Sequence, residues 1–451
     1  MIRALQAIQD RDFLKWLTPG LHIKRWLLLL MVGVAIMGLG IAYILREVYV
    51  SYTFPSGVYY LTLQFMPRIA RGVLFMGAAV GLILFSTWKL NLSLLSAFMP
   101  ARGREESLVN IIYNHRAAQR GPKIVAIGGG TGLSTLLRGL KQYTANLSAI
   151  VTVADDGGSS GKLRREMGVL APGDLRQCIA ALAEAEPLMT ELFQYRFSEG
   201  SGLEGHSFGN LFIVAMAEVT GNFETALKET SRVLAVRGEI MPSTLSHVTL
   251  CATTEDHSMV YGESSITASG RRISELRLNP PHVRGYLGAI RAILEADLVV
   301  VGPGSLYTSV LPNLLVEDIR KALEITRARK LYVCNVATQH GETDGFSVRD
   351  HLAVIDRHVG PGLFDAVLAN SNLSAPIPSS AGAAPVNGKA RGEGPTAIGR
   401  ARVLYADVVD HENGYRHDPA KLAEAIMSFY LDRRPVVHRE VERPEAIAAS
   451  V

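Results

Sequence analysis

Several short polar segments in this chain directly follow apolar runs, and each has the residue types of a loop that holds an anion. Gly128-Gly129-Gly130-Thr131-Gly132 lies between the run KIVAI (123–127) and a helical stretch at 133–143. Glycines there let backbone N–H groups approach a phosphate, and the start of a helix adds favourable dipole charge. The segment is neither G-x-G-x-x-G nor a Walker A loop, because no Gly-Lys-Ser/Thr follows. A tight strand-to-helix turn without a ligand would use the same residues, so both readings stay open.

Asp155-Asp156-Gly157-Gly158-Ser159-Ser160-Gly161 comes at the end of the second apolar run, LSAIVTVA (147–154). A carboxylate in that place accepts sugar hydroxyls or holds a divalent cation beside a phosphate. Taken alone it reads as an ordinary Asp-Gly turn; its position opposite the first glycine loop turns the reading toward a ligand contact. Gly302-Pro303-Gly304-Ser305-Leu306-Tyr307-Thr308-Ser309 follows ADLVVVGPGS (296–305) and offers glycines, hydroxyls and amides, with Asn313 close downstream. NVATQHGETDG (335–345) follows KLYVCNVAT and supplies Thr338, Gln339, Glu342 and Thr343.

His206-Ser207-Phe208-Gly209-Asn210 sits at a helix start. Ser207 is a natural N-cap, which leaves His206 and Asn210 as the candidates for ligand contact. Asp174, in Pro172-Gly173-Asp174, suits a helix cap in the same way. No Ser-His-Asp set with a nucleophile elbow is visible, and no histidines stand in H-x-x-x-H spacing, which argues against a zinc hydrolase.

These loops need a scaffold that brings them together. The apolar runs named above, with FDAVLAN (364–370) as a fifth, are rich in β-branched residues and separated by helical stretches. Such runs indicate a parallel sheet covered on both faces. The expected fold is α/β, a Rossmann-like doubly wound, mostly parallel sheet. In such a sheet the loops at the carboxyl ends of the strands line one ligand crevice. Helical segments near 173–184, 187–196, 207–220 and 222–235, then SHVTLCAT (246–253) and SMVYGE (258–263), form an inserted helical/β subdomain. The Ala/Pro/Gly/Ser-rich stretch 372–397 is expected to be a flexible surface loop. RVLYADVV then resumes as a strand, and Asp418-Pro419 caps and opens a last helix through Tyr430.

The first hundred residues differ. Residues 26–45 (WLLLLMVGVAIMGLGIAYIL) and 72–88 (GVLFMGAAVGLILFSTW) carry no charge. The first matches the thickness of a bilayer's hydrocarbon core. The pattern predicts two transmembrane helices in a membrane region at 1–98, rather than a buried soluble helix or a signal sequence. Arg3, Arg11, Lys15, Lys24 and Arg25 precede the first span; Arg102, Arg104, Arg116, Arg120 and Lys123 follow the second. By the positive-inside rule both termini are expected to be cytoplasmic, in a two-pass protein of the cell membrane. A linker at 99–122, a ligand-binding domain at 123–435 and a tail at 436–451 complete the expected organisation.

Composition sets the outer limits. Hydrophobic residues make up 48% of the 451 and charged residues 20%, with a mean hydropathy of +0.17, an apolar excess concentrated before residue 100. A formal charge of +4 is too small and too dispersed for a nucleic-acid binder. Cys178, Cys251 and Cys334 fit neither a disulfide framework nor paired zinc ligands and suggest a reducing compartment.

Taken in order, GGGTGLSTLLRGLK, VTVADDGGSSGKLR, APGDLRQ, GHSFGNL, GPGSLYTSVLPNLLV and NVATQHGETDG closely resemble the YvcK-type gluconeogenesis factor family. That family is related to 2-phospho-L-lactate transferases of the CofD type. The resemblance runs from about Lys123 to about Tyr430 and leaves out 1–122. It implies a Rossmann-like core that binds UDP-sugars, notably UDP-N-acetylglucosamine, and a role linking carbon metabolism to cell-wall synthesis and cell shape. It places ligand contacts at Gly129, Gly130 and Thr131, at Asp155 and Asp156, and at Gly304 and Ser305. Asn210, Thr338 and Gln339 would complete the pocket, and Arg416, in Tyr415-Arg416-His417, would reach the diphosphate or base. A planar guanidinium suits that role because it bonds phosphate bidentately.

The leading expectation from the resemblance is a regulator that senses a UDP-sugar, with cell-wall synthesis enzymes as partners and room for a homo-oligomer. The alternative is a magnesium-dependent phospholactate-type transferase acting on a deazaflavin precursor, in which Asp155 or Asp156 would hold the metal. Such catalysis works through orientation and electrostatics without a nucleophile. An NAD(P)-dependent oxidoreductase rests on fold analogy alone.

Overall fold

The computed structural model describes residues 23–52, 57, 60, 63, 65–98, 121–184, 187–200, 202–378, 382–386 and 397–432. The expected linker at 99–122, but for its last two residues, and the tail at 436–451 lie outside them, as do Arg3, Arg11, Lys15, Arg102, Arg104, Arg116 and Arg120. The chain divides into two compact units, Met1–Arg116 and Ala117–Val451.

The first unit holds two long helices, α1 (Ile23–Ser51) and α2 (Arg68–Phe98). Neither has an acidic residue in its first turn or a basic one in its last. Along α2, the apolar side chains from Ile69 to Phe85 are exposed rather than packed against protein. Among the described residues, one helical stretch, Ile69–Thr87, is long and apolar enough to cross a membrane.

The second unit is a Rossmann-like α/β fold. It opens β1 (Ile124–Gly128), α3 (Gly130–Leu140), β2 (Leu147–Val151), then five helices: α4 (Gly158–Met167), α5 (Gly173–Leu182), α6 (Pro187–Gln194), α7 (Phe208–Thr220) and α8 (Phe223–Val233). After β3 (Glu239–Pro242) come β4 (Thr249–Thr254), β5 (Met259–Tyr261), α9 (Glu263–Ser269), β6 (Ile273–Asn279) and α10 (Leu287–Glu295). The rest is β7 (Leu298–Val301), α11 (Glu317–Ile325), β8 (Arg329–Val333), α12 (Val348–Val359), β9 (Ala366–Asn370), β10 (Ala397–Ile398), β11 (Ala401–Ala406) and α13 (Pro419–Leu431).

The main sheet has eight strands in the order β10-β11-β9-β8-β7-β1-β2-β3. Its neighbours pair in parallel except β10 with β11. Every residue of β1, β7 and β9 is buried, as a strand covered on both faces requires. β4, β5 and β6 make a separate antiparallel sheet between β3 and β7, so the inserted subdomain is helical first and β-rich second.

Strand order fixes where a ligand can enter. The chain steps outward from β1 to β2 to β3, returns to the other side of β1 at β7, and steps outward again. Connections leaving β1 and β7 therefore diverge and open a crevice at their carboxyl ends. β3 was not expected from the sequence. It is short and ends in Pro242 at the sheet edge, where a missing donor is tolerated.

Candidate functional site

The β1 and β7 loops meet at this reversal point. The N-cap of α3 is Gly129, whose extended backbone (φ −169°) carries no side chain to cap the helix. Gly130 takes a left-handed φ of +61°, which few other residues tolerate. A Cβ on Gly132 would stand 2.5 Å from the Pro303 carbonyl, and one on Gly304 would stand 3.4 Å from that of Gly129. At 132 only glycine lets the two loops close on each other, whereas the Gly304 distance is ordinary van der Waals contact.

Two side-chain amides, of buried Asn313 and half-buried Asn335, lock the pair. Asn313 Nδ2 donates to the carbonyls of Gly128 (3.0 Å) and Ser309 (2.8 Å). Asn335 clamps Gly304 from both sides, accepting its N–H at 3.0 Å and donating to its carbonyl at 2.8 Å. A second helix start, that of α4, also lacks a side-chain cap at Gly157. Starts without an N-cap side chain leave N–H groups that an anion can satisfy, at α3 those beyond Gly130, whose N–H is held by Asp174.

Around these amides the structure gathers carboxylates. Asp155 accepts from Gly157 N–H at 2.9 Å and from Ser160. Asp156 accepts from Ser264 N–H at 2.9 Å and from the Ser264 hydroxyl, tying α9 to the β2 loop. Asp174 accepts the N–H of Gly130. Glu342, buried, accepts hydrogen bonds from the hydroxyl of Ser305 and the N–H of Tyr307. Glu263 turns Oε2 into an enclosed position without a hydrogen-bond partner among the described residues.

Charges this close raise one another's proton affinity. Burial, then Asp155, pushes Asp174 up to about 7, against the opposing Gly130 N–H. Burial, then Asp155, Asp174, Asp156 and Glu342, pushes Glu263 up to about 9. Burial raises Asp155 and Glu342 as well. The cleft thus sets helix-start amides beside carboxyl groups that hold protons near neutrality.

Of the residues singled out in the sequence, Gly129, Gly130, Thr131, Gly304 and Ser305 stand on the two touching loops. Asp155 and Asp156 join them through Asp174 and Glu263. Asn210 is buried and engaged by protein: Oδ1 accepts from Arg176 Nε at 3.0 Å, and Nδ2 donates to Ser159 Oγ at 3.1 Å. Ser207 caps α7, as its type predicts. Thr338 makes a two-way pair with the backbone of Ala384, at 2.7 and 3.0 Å, which fastens part of the 372–397 stretch to the strand end. Gln339 leaves Oε1 enclosed and without a partner among the described residues. Arg416 is exposed in the turn before α13, its guanidinium 5.3 Å from the Tyr415 ring.

Sequence reasoning missed two members. Asp174 has the residue type of a cap for its own helix, yet the N-cap of α5 is Pro172, which makes no side-chain capping bond, and the Asp174 carboxylate reaches across to Gly130. Glu263 gave no signal, since it opens a helix in a β-rich insertion. The structure also brings Ser159 Oγ to 3.1 Å from His206 Nδ1, a pairing distant in sequence. A separate cavity of 1190 Å³, lined among others by Lys123, Asn146, Arg232, Tyr286 and Arg291, opens at the amino ends of β1–β3. It holds none of the glycine loops, and its charges are of both signs, so the reversal point is the better candidate.

Residues 124–388 match the family described as 2-phospho-L-lactate transferase CofD. A relative from Nostoc sp. with the gluconeogenesis factor name is 47% identical over 446 residues, covering 95% of this chain and 97% of its own. That coverage is too complete to leave out the first hundred residues. The gluconeogenesis factor of Bacillus subtilis is 50% identical over 250 residues, 55% of this chain and 79% of that one. A crystal structure of a UPF0052-family protein from Bacillus halodurans is 44% identical, with a TM-score of 0.64, and covers 68% of this chain and 99% of its own.

Proposed function

The chain belongs to the gluconeogenesis factor family and carries a CofD-type domain, and from that premise we propose that it is a regulatory protein that binds a UDP-sugar, UDP-N-acetylglucosamine. In this reading it links carbon metabolism to cell-wall synthesis and cell shape, and its partners are cell-wall synthesis enzymes. The observation that carries it is the uncapped start of α3 closed against the β7 loop at the strand-order reversal. A diphosphate fits there because amides and the helix dipole meet it without a bulky side chain between. The nucleotide's other groups would be met by Ser305, Gln339 and Arg416, with Asp155 and Asp156 at sugar hydroxyls.

The membrane role is part of the same proposal. α1 and α2 would form a two-pass hairpin in the cell membrane, with both termini and the α/β unit cytoplasmic. Supporting it, α2 exposes apolar side chains from Ile69 to Phe85, which water does not favour. A reporter fused after Val451 is expected to be accessible from the cytoplasm; exposure outside rejects the topology.

A second reading is a magnesium-dependent transferase of the phospholactate kind, favoured by the carboxylates of the cleft. Among the described residues no three metal-binding side chains are grouped as a ready site. Magnesium, however, commonly takes one or two carboxylates and completes its shell with substrate phosphates and water. Asp155, with the unpartnered Oε2 of Glu263 nearby, fits that demand. The metal would supply charge neutralisation at a transferring phosphoryl group, while the loops orient it.

Calorimetry on the fragment from Ala117 onward separates the two. Saturable binding of UDP-N-acetylglucosamine, tighter than NAD and without turnover, supports the regulator. Binding of a deazaflavin precursor with magnesium-dependent transfer replaces it with the enzyme. Binding of neither rejects both.

A further inference from the structure

Helices α6 and α7 and the turn between them carry more apolar surface than their packing uses. Leu188, Met189 and Leu192 fall on one side of α6, and Leu188 is 74% exposed. Along α7, Phe208, Phe212, Ala215 and Val219 recur at helical spacing, with burial fading until Val219 is 82% exposed. Phe193 and Phe212 meet edge to face at 6.1 Å and hold the helices side by side. Tyr195 and Leu203, in the turn, are exposed too. A patch of this kind on a folded surface marks a place of contact.

Charge around the patch narrows what can cover it. From 184 to 220 the sequence has six glutamates and one basic residue, Arg196, within a chain of net charge +4. Glu191, Glu199, Glu204 and Glu218 are all exposed there; against them stand Arg196, which donates to the Gly205 carbonyl at 2.6 Å, and Lys162 of α4, which reaches the Glu204 carbonyl at 3.4 Å, so acidic side chains still outnumber basic ones by four to two. An anionic membrane surface would be repelled. A second copy presenting the same face would bring like charges together. We propose that the α6–α7 face docks a protein partner through an amphipathic helix whose apolar stripe is flanked by lysine and arginine.

The face is also tied to the cleft. Asn210 of α7 bonds Ser159 at the start of α4 and Arg176 of α5, and Asp174 on that same α5 holds Gly130. A partner on α7 therefore stands one polar chain, buried at Asn210 and half-buried at Arg176 and Asp174, from the glycine loop. The docking surface does not depend on which ligand the cleft takes.

The fragment from Ala117 suffices for the test, because a crystallised relative is covered to 99% by 68% of this chain. The probe is a fluorescent designed helix of leucine and lysine, followed by anisotropy. Saturable binding is expected, weakened about tenfold or more by Leu188→Asp with Leu192→Asp, by Glu191→Lys with Glu218→Lys, and by added salt. A leucine/glutamate helix should not compete. Ile325→Asp, at a comparably exposed apolar position (69%) on α11, should change nothing. Both double variants should keep wild-type melting temperature and UDP-N-acetylglucosamine binding, which separates this result from the fate of the ligand proposal. Unchanged affinity in the leucine double variant overturns the proposal. So does equal binding of the acidic helix, or a fragment dimer that the same variant dissociates.

Discussion

The carboxylate of Asp174, on α5, accepts the amide N–H of Gly130, the first residue of α3. One side chain thereby braces the glycine loop from behind, and a Cβ on neighbouring Gly129 would stand 2.5 Å from its Oδ2. The loop's shape and the cleft's charge are coupled through this contact.

Asp174→Asn should flatten the pH dependence of stability. Burial and Asp155 raise Asp174 to about 7 in the folded state, so the native protein keeps a proton that the unfolded chain releases. The associated stability is complete below about pH 4 and is lost as pH rises through about 7. Glu263 adds a loss of the same sign up to about 9. Urea titrations at about pH 5 and about pH 8 should show the variant losing less between them, by on the order of 1–2 kcal/mol after allowing for solvent in the cleft. A steeper loss would contradict the assignment.

Ligand binding should move protons, and the direction identifies the ligand chemistry. A diphosphate arriving beside Asp174 further disfavours its ionised form, so binding takes protons up near neutral pH, while Glu263, raised to about 9, already holds its proton there and adds uptake only near pH 9. Magnesium entering with it reverses the sign, because a cation favours ionised carboxylates. Calorimetry in buffers of different ionisation enthalpy reads the proton count. Uptake without metal and release with it is the expected pattern.

Gly129→Ala should weaken ligand binding by about tenfold or more and cost about 1–3 kcal/mol in stability. The backbone at Gly129 is extended and unstrained, so the effect is steric. The new methyl would meet Asp174 Oδ2 at 2.5 Å and Thr152 Cγ2 at 2.8 Å. Combining it with Asp174→Ala removes one of the two obstructions and should restore part of the stability relative to the sum of the single changes. Strict additivity would show that the two residues do not meet.

The central scaffold was legible because its signals are local. The run 123–127 became β1, 147–154 contains β2, and the runs around 298 and 330 became β7 and β8. Buried parallel strands have no alternation to obscure and glycines to mark their ends. α4 was hidden because GSSGKLRREM lacks an apolar stripe, and it forms where Asp155, Gly157 and Gly168 set its ends. The loops were recognisable by composition, whereas the partners of their side chains were not. Asp174 as a cap of α5 and Asp174 as a brace of α3 have identical local sequence; strand order alone distinguishes them. Asn210 shows the converse, a polar residue beside a glycine that fits a ligand pocket by type yet is bonded to Ser159 and Arg176.

Ser305 and Glu342 should behave as one unit. Ser305 donates its hydroxyl proton to Glu342 while accepting from Thr308, through Oγ1 at 2.7 Å and through N–H at 3.3 Å. Glu342 is buried, and burial already raises its proton affinity. Ser305→Ala removes a donor from an enclosed carboxylate and frees Thr308, an expected loss of about 1–3 kcal/mol. That loss should grow as pH rises, because only the ionised carboxylate misses the donor. Glu342→Gln is neutral at every pH, so placing it on Ser305→Ala should abolish the added pH dependence and cost less than the sum of the singles. If the double variant instead keeps the full pH dependence of Ser305→Ala, another carboxyl group is responsible, and Glu263 is the next to change.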